Sequence, residues 1–505
     1  MAGLLPLFWG LASLDRNARI SASDALVGEL AAQERVASAP AAPRAPDDAA
    51  ADAAAAAEAD AAERRIDESC TDDMAYALRR LVRGLASPRE NARAGFAVAL
   101  TELLSHVHVV APHDVLVLLL KYTALRGGQS GQETRDMQFA RLFGVHALVR
   151  SAALYGDASD EATFRRAVRV VLAVAAHKTW LSESCGWVLL SAVRELAAAR
   201  PPWAADALRW TADLVCASPA LSPEKLALVL ALDAAEPSLR ASERVGPARG
   251  CVLAPGNLPA VARALREAPP LHLDAESPAP QAGTWNPELP FVWDMLLDAY
   301  LGEAPLPDGA APFAEFYRVA LDESLFAPSA SPERKSWGFQ VVQRALQRAP
   351  AEVLPLLFTP QFMRTWTTQL AGKDRILHSL AHKTAELVSA AVQRNPDAGV
   401  ALVTHLTREQ GAQNFDRLTH TRLTESILAT LDEAGIQRYL AYLRSVACEM
   451  PASTDAPNAA SRRQWACDQM LALVRSSHVR NSDAWVHDVL AVSYTHLTLP
   501  TICSV

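Results

Sequence analysis

No run of apolar residues in this 505-residue sequence approaches the ~18 needed to cross a bilayer, so the chain reads as soluble, with no membrane partner. Its apolar opening, Met1 to Ser13, has no positive charge ahead of the apolar run and passes directly into a charged helical pattern, which argues against a secretory signal. Cysteine is sparse. The seven present (Cys70, Cys185, Cys216, Cys251, Cys448, Cys467 and Cys503) are odd in number, scattered, and never in a Cys-x-x-Cys arrangement, as expected of reduced thiols in a cytosolic or nuclear protein. Aromatics are few, and no window alternates apolar and polar positions over strand length, so a β-sheet domain is not expected. The formal net charge of −8 excludes a uniformly basic surface.

What is abundant is helix-forming material. Half of the residues are apolar and 21% charged, enough to bury a large core without disulfides or metals, and length alone would suggest about three or four domains. From Asp72 to Ala86 the apolar Met74, Leu78, Leu81, Val82 and Leu85 recur on one helical face. In Ser87-Pro88-Arg89-Glu90, Ser87 is placed to cap the next helix, Pro88 suits its first position and Glu90 completes a capping box. The buried face of that helix reads Ala92, Phe96, Ala99, Leu100, Leu103 and Leu104. Similar starts recur at Ser222-Pro223-Glu224 and Ser331-Pro332-Glu333. Further helical patterns fall near residues 133–154, 161–177, 182–199, 223–232, 291–301, 312–324, 332–349, 374–393, 416–431, 435–450 and 462–474. Paired amphipathic helices joined by short turns are the unit of an armadillo/HEAT-like solenoid, each pair covering roughly 40 residues. The expected fold is therefore all-α, with degenerate repeats because no strict internal period is evident.

Composition divides the chain further. Residues 1–36 form an N-terminal helical segment, and 37–71 an acidic low-complexity insertion whose stretch to about residue 64 reads as disordered or weakly helical, since it lacks large apolar side chains to offset ordering entropy. A helical block follows over 72–235, then a Pro-rich surface connection over 236–290 with a short helical pattern near 258–265, and a second helical block over 291–492. Between Asp47 and Asp73 ten acidic residues face only Arg64 and Arg65, whereas from Arg79 to Arg150 ten basic residues face five acidic ones.

A search for chemistry finds no catalytic constellation. Two-metal polymerases need paired carboxylates on a fixed framework; neither an Asp-Thr-Asp hairpin nor a Ser-Leu-Tyr-Pro motif is present. Gly372-Lys373-Asp374 lacks the rest of a phosphate loop, and Gly127-Gly128-Gln129-Ser130-Gly131 carries no lysine and joins two helices. His378 and His382 share a helical face, but Ser379 stands where a metalloprotease needs glutamate and no third ligand is evident. His106, His108 and His113 near a helix end read as capping or solvated groups. No catalytic, metal or cofactor residue is assigned, and no small-molecule substrate is expected.

What remains is a basic stretch. Arg79 and Arg83 are four apart on one helix, as are Arg89 and Arg93 on the next, and with Arg80 they could align as a ridge for phosphates or an acidic partner. The competing reading gives these arginines structural pairing with nearby carboxylates, or covers the ridge with the acidic insertion. Trp180 and Trp187, and likewise Trp203 and Trp210, are seven apart; core packing is expected of both pairs, and a peptide groove would need one pair exposed.

Four segments resemble a known family. They are Phe8-Trp9-Gly10-Leu11-Ala12-Ser13-Leu14-Asp15; the run from Ala77 to Phe96 containing Arg80-Leu81-Val82-Arg83-Gly84-Leu85-Ala86-Ser87-Pro88-Arg89-Glu90-Asn91-Ala92-Arg93; Gly131-Gln132-Glu133-Thr134-Arg135-Asp136 running into Arg141-Leu142-Phe143-Gly144; and Ser331-Pro332-Glu333-Arg334-Lys335-Ser336-Trp337-Gly338-Phe339. Together they resemble the family variously called DNA polymerase V, DNA polymerase phi or Myb-binding protein 1A, over residues 1 to about 490. The resemblance implies an armadillo-type nucleolar protein of ribosomal DNA transcription and ribosome biogenesis without true polymerase activity, its partners being nucleolar and transcription proteins and, as a further candidate, rDNA chromatin. A general HEAT-type adaptor or transport receptor is the alternative, and a DNA-directed DNA polymerase the least favoured reading. Family members are typically longer, with an acidic region and a basic tail near the C-terminus, so the chain reads as an N-terminal portion. Residues 493–505 continue no family pattern and read as a non-native tail.

Overall fold

Local signals decide where the helices begin. Thr71 accepts a hydrogen bond from the Met74 amide at 3.3 Å, Asp160 from Thr163 at 2.8 Å, Ser222 from Lys225 at 3.2 Å and Ser331 from Arg334 at 3.4 Å, each satisfying an amide that the first helical turn leaves unpaired. Ser130 and Glu133 form a reciprocal capping box. The box expected at Ser87 and Glu90 does not form: Ser87 Oγ accepts from the Arg89 amide, and the helix starts at Glu90 with Arg89 at the N-cap position, where its side chain makes no capping bond.

The computed structural model describes residues 3–34, 51–247, 250–271, 286–407, 415–448, 456–475, 485–487 and 489. Regular structure among them is helical, without strands: α1 (Leu5–Leu11), α2 (Arg16–Glu34), α3 (Ala51–Ser69), α4 (Asp72–Gly84), α5 (Glu90–His106), α6 (Pro112–Tyr122), α7 (Gly131–Arg150), α8 (Glu161–His177), α9 (Ser182–Ala199), α10 (Ala204–Val215), α11 (Pro223–Ala235), α12 (Leu258–Glu267), α13 (Val292–Leu301), α14 (Phe313–Tyr317), α15 (Pro332–Arg348), α16 (Pro360–Leu370), α17 (His378–Arg394), α18 (Asp397–Thr407), α19 (Phe415–Thr419), α20 (Leu423–Thr430), α21 (Glu433–Cys448) and α22 (Ala456–Arg475), with short 3-10 and π turns between some of them. The chain divides into two compact units, Met1–Trp285 with Pro290–Val292, and Asn286–Leu289 with Trp293–Val505.

In the first unit, helices pack mainly on near neighbours in chain order, α7 on α8 and α9, α9 on α11. The exception is instructive. α1 and α2 pack directly on α5, while α3 lies across α6. Helix α6 is buried along Pro112–Leu119 on every side, so its sequence carries no amphipathic period. The acidic segment from residue 51 onward is not weakly helical: it is the 19-residue helix α3, which buries Ala59, Ala62 and Ile66. Low side-chain entropy makes alanine the best helix former, and ion pairs replace the missing large apolar groups. Residues 37–50 of the expected insertion lie outside the described residues.

The Pro-rich connection is likewise more folded than its composition suggests. Ala241, Val245, Val252 and Leu253 are buried, and α12 packs on α11 through a face that buries Leu258, Val261 and Leu265. Residues 272–285, and 493–505 at the tail, lie outside the described residues.

An aromatic core holds the second unit. Phe362 stacks on Trp366 at 5.4 Å, with Phe326, Phe339, Phe358 and Phe415 around the pair. Buried Asp322 accepts from Thr359 Oγ1 at 2.6 Å and from the Gln361 and Phe362 amides at 3.0 Å, capping α16 from a distant turn. The single helix expected over 416–431 is two, because His420 takes φ +55° and Asp416 turns back to accept from the Thr424 amide at 3.1 Å.

Tight contact between α1 and α5 rests on Gly95, where an added Cβ would sit 2.0 Å from the Leu11 carbonyl oxygen; at Gly28, inside α2, nothing lies within 4 Å. Gly95→Ala is therefore expected to destabilise the first unit by about 3 kcal/mol, and Gly28→Ala to stabilise it by roughly 0.5–1 kcal/mol. Urea unfolding midpoints of the two variants, which should move in opposite directions, check this.

Candidate interaction surfaces

The segments that carry the family resemblance are structural joints. Phe8 is buried, with the Arg80 guanidinium 4.7 Å from its ring centre. Asp15 accepts from the Asn17 amide at 3.1 Å at the start of α2, and Arg19 donates to the Ser13 and Leu14 carbonyls at 2.8 and 2.9 Å. Arg93, only 7% exposed, donates to the Ser87 carbonyl at 2.8 Å, meets Asp136 Oδ1 at 3.4 Å and lies 4.4 Å from the Phe139 ring centre. Gln132 holds the other side of Asp136 at 3.1 Å. Three segments distant in sequence thus meet in the first unit, through Arg80 on Phe8, Gly95 on Leu11 and Arg93 on Asp136. The fourth serves the second unit: Ser331 caps α15, and buried Trp337 donates Nε1–H to the Asn286 carbonyl at 2.9 Å.

The five arginines read as a candidate ridge are therefore spread over different contacts. Arg79 pairs with Asp67 of α3 at 2.5 Å. Arg80 is half-buried between Phe8 and Tyr76, donating to the Tyr76 hydroxyl at 2.6 Å. Arg93 is buried. Arg83 is exposed, its guanidinium 4.3 Å from the Tyr122 ring centre, and Arg89 is exposed.

A denser polar constellation surrounds α3 and α6. Glu58 receives a two-pronged hydrogen bond from Arg166 of α8, at 2.6 and 2.9 Å, and approaches His113 Nε2 at 3.3 Å. Arg65 donates through Nε to both oxygens of buried Asp114, at 3.1 and 3.2 Å. Lys121 lies between Asp60 at 3.2 Å and Glu63 at 3.1 Å, and the Tyr122 hydroxyl donates to Glu63 at 2.8 Å. The Arg166 hydrogen bonds hold the Glu58 carboxyl below its usual range, while burial pushes the His113 imidazole below its own. His113 is thus a buried, paired group and not a solvated cap, contrary to the reading of its position in sequence; desolvation at 3% exposure favours its neutral form. His106 does sit at a helix end, its Nδ1 2.9 Å from the Glu102 carbonyl oxygen.

Elsewhere, groups with chemical potential are engaged structurally. The buried carboxylates among the described residues are Asp114, Asp136, Glu224 and Asp322, in four separate settings. Burial pushes Glu224 up to about 7 and its neighbour Lys225 down to about 8, yet they are only 5% and 0% exposed, closed to a substrate. His378 Nδ1 lies 3.0 Å from the Gln369 carbonyl oxygen, and His382 faces Glu386 at 3.3 Å. Core packing fails for one tryptophan pair: Trp180 and Trp187 are 47% and 45% exposed, each resting edge-on against one aromatic ring, Phe139 and Phe291. Trp203 and Trp210 are half-buried, Trp203 beside Phe164 and Trp210 within cation–π distance of Arg165.

Residues 76–497 match the family model described as DNA polymerase phi. The chain belongs to that family. The fission yeast Schizosaccharomyces pombe protein named rDNA transcriptional regulator pol5 is 32% identical over 441 residues, covering 85% of this chain and 44% of its own length. Its Saccharomyces cerevisiae namesake is 26% identical over 473 residues, 84% of this chain and 43% of its own. Human Myb-binding protein 1A is 30% identical over 127 residues, a quarter of this chain and 9% of its own. The chain thus spans less than half the length of the two yeast relatives.

Two outcomes follow for stability. Arg93→Ala removes the buried ion pair with Asp136, the bond to the Ser87 carbonyl and the contact with Phe139, and is expected to cost about 3 kcal/mol, whereas Arg89→Ala should change stability by less than about 0.5 kcal/mol; denaturant titration of both separates a joint from a surface charge. For pH, the unfolded chain protonates His113 near its usual value of about 6.5 while the folded chain resists. Stability should therefore fall as pH drops through that value, and fall again as Glu58 protonates below the ordinary carboxylate range. In His113→Gln the upper step should vanish and the lower one persist, read as melting temperature against pH from about 7.5 to about 2.5.

Proposed function

We propose that this chain is a non-catalytic helical scaffold that supports transcription of the ribosomal RNA genes and ribosome biogenesis in the nucleolus. The observation that carries the reading is the similarity, over 85% of the chain, to a protein named as an rDNA transcriptional regulator. Neighbour-on-neighbour packing of helices α7 to α11 supports an armadillo/HEAT-like solenoid, a form that offers extended surface for several partners at once. The placing of the buried carboxylates Asp114, Asp136, Glu224 and Asp322 in four separate settings supports a binding role over polymerase chemistry, which needs paired carboxylates to hold metal ions.

Its partners in this reading are nucleolar and transcription proteins, with rDNA chromatin as a further contact. Of the five arginines, Arg83 and Arg89 are the ones whose exposure suits a phosphate or an acidic side chain; Arg79, Arg80 and Arg93 hold the fold.

Tagging the full-length protein in its own cells and depleting it tests the proposal. Nucleolar concentration, rDNA recovery by chromatin immunoprecipitation and reduced run-on synthesis of precursor rRNA are expected. Unchanged precursor rRNA synthesis with accumulation at nuclear pores would point to a transport receptor and reject it. So would primer extension by the purified protein that a carboxylate substitution abolishes.

A further inference from the structure

Helix α3 sits on the first unit more as a ligand than as a core element. Among its described side chains the buried apolar groups are two alanines and one isoleucine, contributing roughly 3–5 kcal/mol, small beside the ~1–2 kcal/mol per residue that ordering its backbone costs. Charge holds the rest. Three stripes run along α3: Ala59, Ala62 and Ile66 are buried in the middle, with the first two packing on Val117; Glu58 and Arg65 flank one side, facing His113, Asp114 and Arg166; Asp60, Glu63 and Asp67 flank the other, facing Lys121, Tyr122 and Arg79. Among the described residues, all ion-pair partners of Arg79, Lys121 and Arg166 lie on α3. The surrounding helices do not need α3 to meet one another, since α2 packs on α5, α4 on α5 and α6, and α6 on α7 and α8. Lifting α3 off would leave a shallow groove on α6 with three cations, a tyrosine and a small apolar floor.

We propose that this groove, built by α4, α6 and α8, is a recognition site for an acidic, alanine-rich helix of a partner protein, which α3 fills in cis until a partner displaces it. The seated helix defines what the groove reads. It takes carboxylates in the spacing of Glu58, Asp60, Glu63 and Asp67, a basic residue at the position of Arg65 to meet Asp114, and small residues at the positions of Ala59 and Ala62 so that the two helices approach closely. A phosphate backbone would satisfy the cations but not the apolar floor or Asp114, so the geometry favours a protein helix over nucleic acid. The inference stands independently of the rDNA reading.

The test uses the whole chain and a fluorescent peptide of residues 51–69 as probe, read by anisotropy. In Glu58→Gln/Asp60→Asn/Glu63→Gln, which loosens α3 with conservative changes, peptide affinity should rise at least tenfold over the unaltered chain. Binding should disappear in 0.5 M NaCl, on adding Lys121→Glu and Arg166→Glu, and with a scrambled peptide of the same composition. Equal affinity for the scrambled peptide, or no gain in a folded triple variant, would overturn the proposal. Loss of helical content beyond the 19 residues of α3 in the triple variant would also overturn it, by making α3 a permanent strut. Preferential binding of a duplex DNA probe by the opened groove would assign the site to nucleic acid instead.

Discussion

Packing the start of α6 into the first unit takes His113 and Asp114 out of water, and much of the charge arrangement around them answers to that burial. An ionised carboxylate at 3% exposure is stable only when paired, and Arg65 supplies the pair through both Asp114 oxygens. Burial favours the neutral form of the imidazole beside it, which turns Nε2 toward Glu58, itself held by Arg166 from α8. Both Arg65 and Glu58 come from α3. An alanine-rich acidic segment that would be marginal alone is thus fixed by two buried groups on another helix, and in turn covers Lys121 and Arg79.

The same logic explains the family-bearing segments. They are conspicuous in sequence because they combine glycine, arginine and aspartate at set spacings, and the structure uses those residues where helices cross. Gly95 admits the Leu11 carbonyl, Arg93 joins the turn at Ser87 to α7 through Asp136, and Phe8 carries Arg80. The segments that resemble the family thus supply joints that set helix against helix in the first unit. Exposed large side chains lie elsewhere, among them Arg83, Arg89, Trp180 and Trp187.

Much of the fold was legible where local rules suffice. The periodicity over 161–177 and 182–199 coincides with α8 and α9, and the Ser222 and Ser331 caps form as their spacing requires. Where tertiary context decides, sequence fell short. Helix α6 has no polar face to announce it, and α3 owes its place to partners more than 40 residues away. Ser87 turned to the Arg89 amide while its carbonyl received Arg93, so the capping spacing was present but the turn was committed elsewhere. The arginine spacing gave a shared face on each helix but not what that face meets: one side found Asp67, another Asp136. Of the α3–α6 constellation, the only signal in sequence was an acidic segment followed by a basic one.

That α3 is an ordered part of the first unit, held chiefly by charge, is the claim on which this account turns, and hydrogen exchange of the whole chain at 0.05 and 0.5 M NaCl measures it directly. Amides of Ala51–Ser69 should be protected at low salt and lose much of that protection at high salt, while those of Glu90–His106 change little. Exchange of α3 at unprotected rates in both salts, or protection as deep and as salt-insensitive as that of α5, would contradict it.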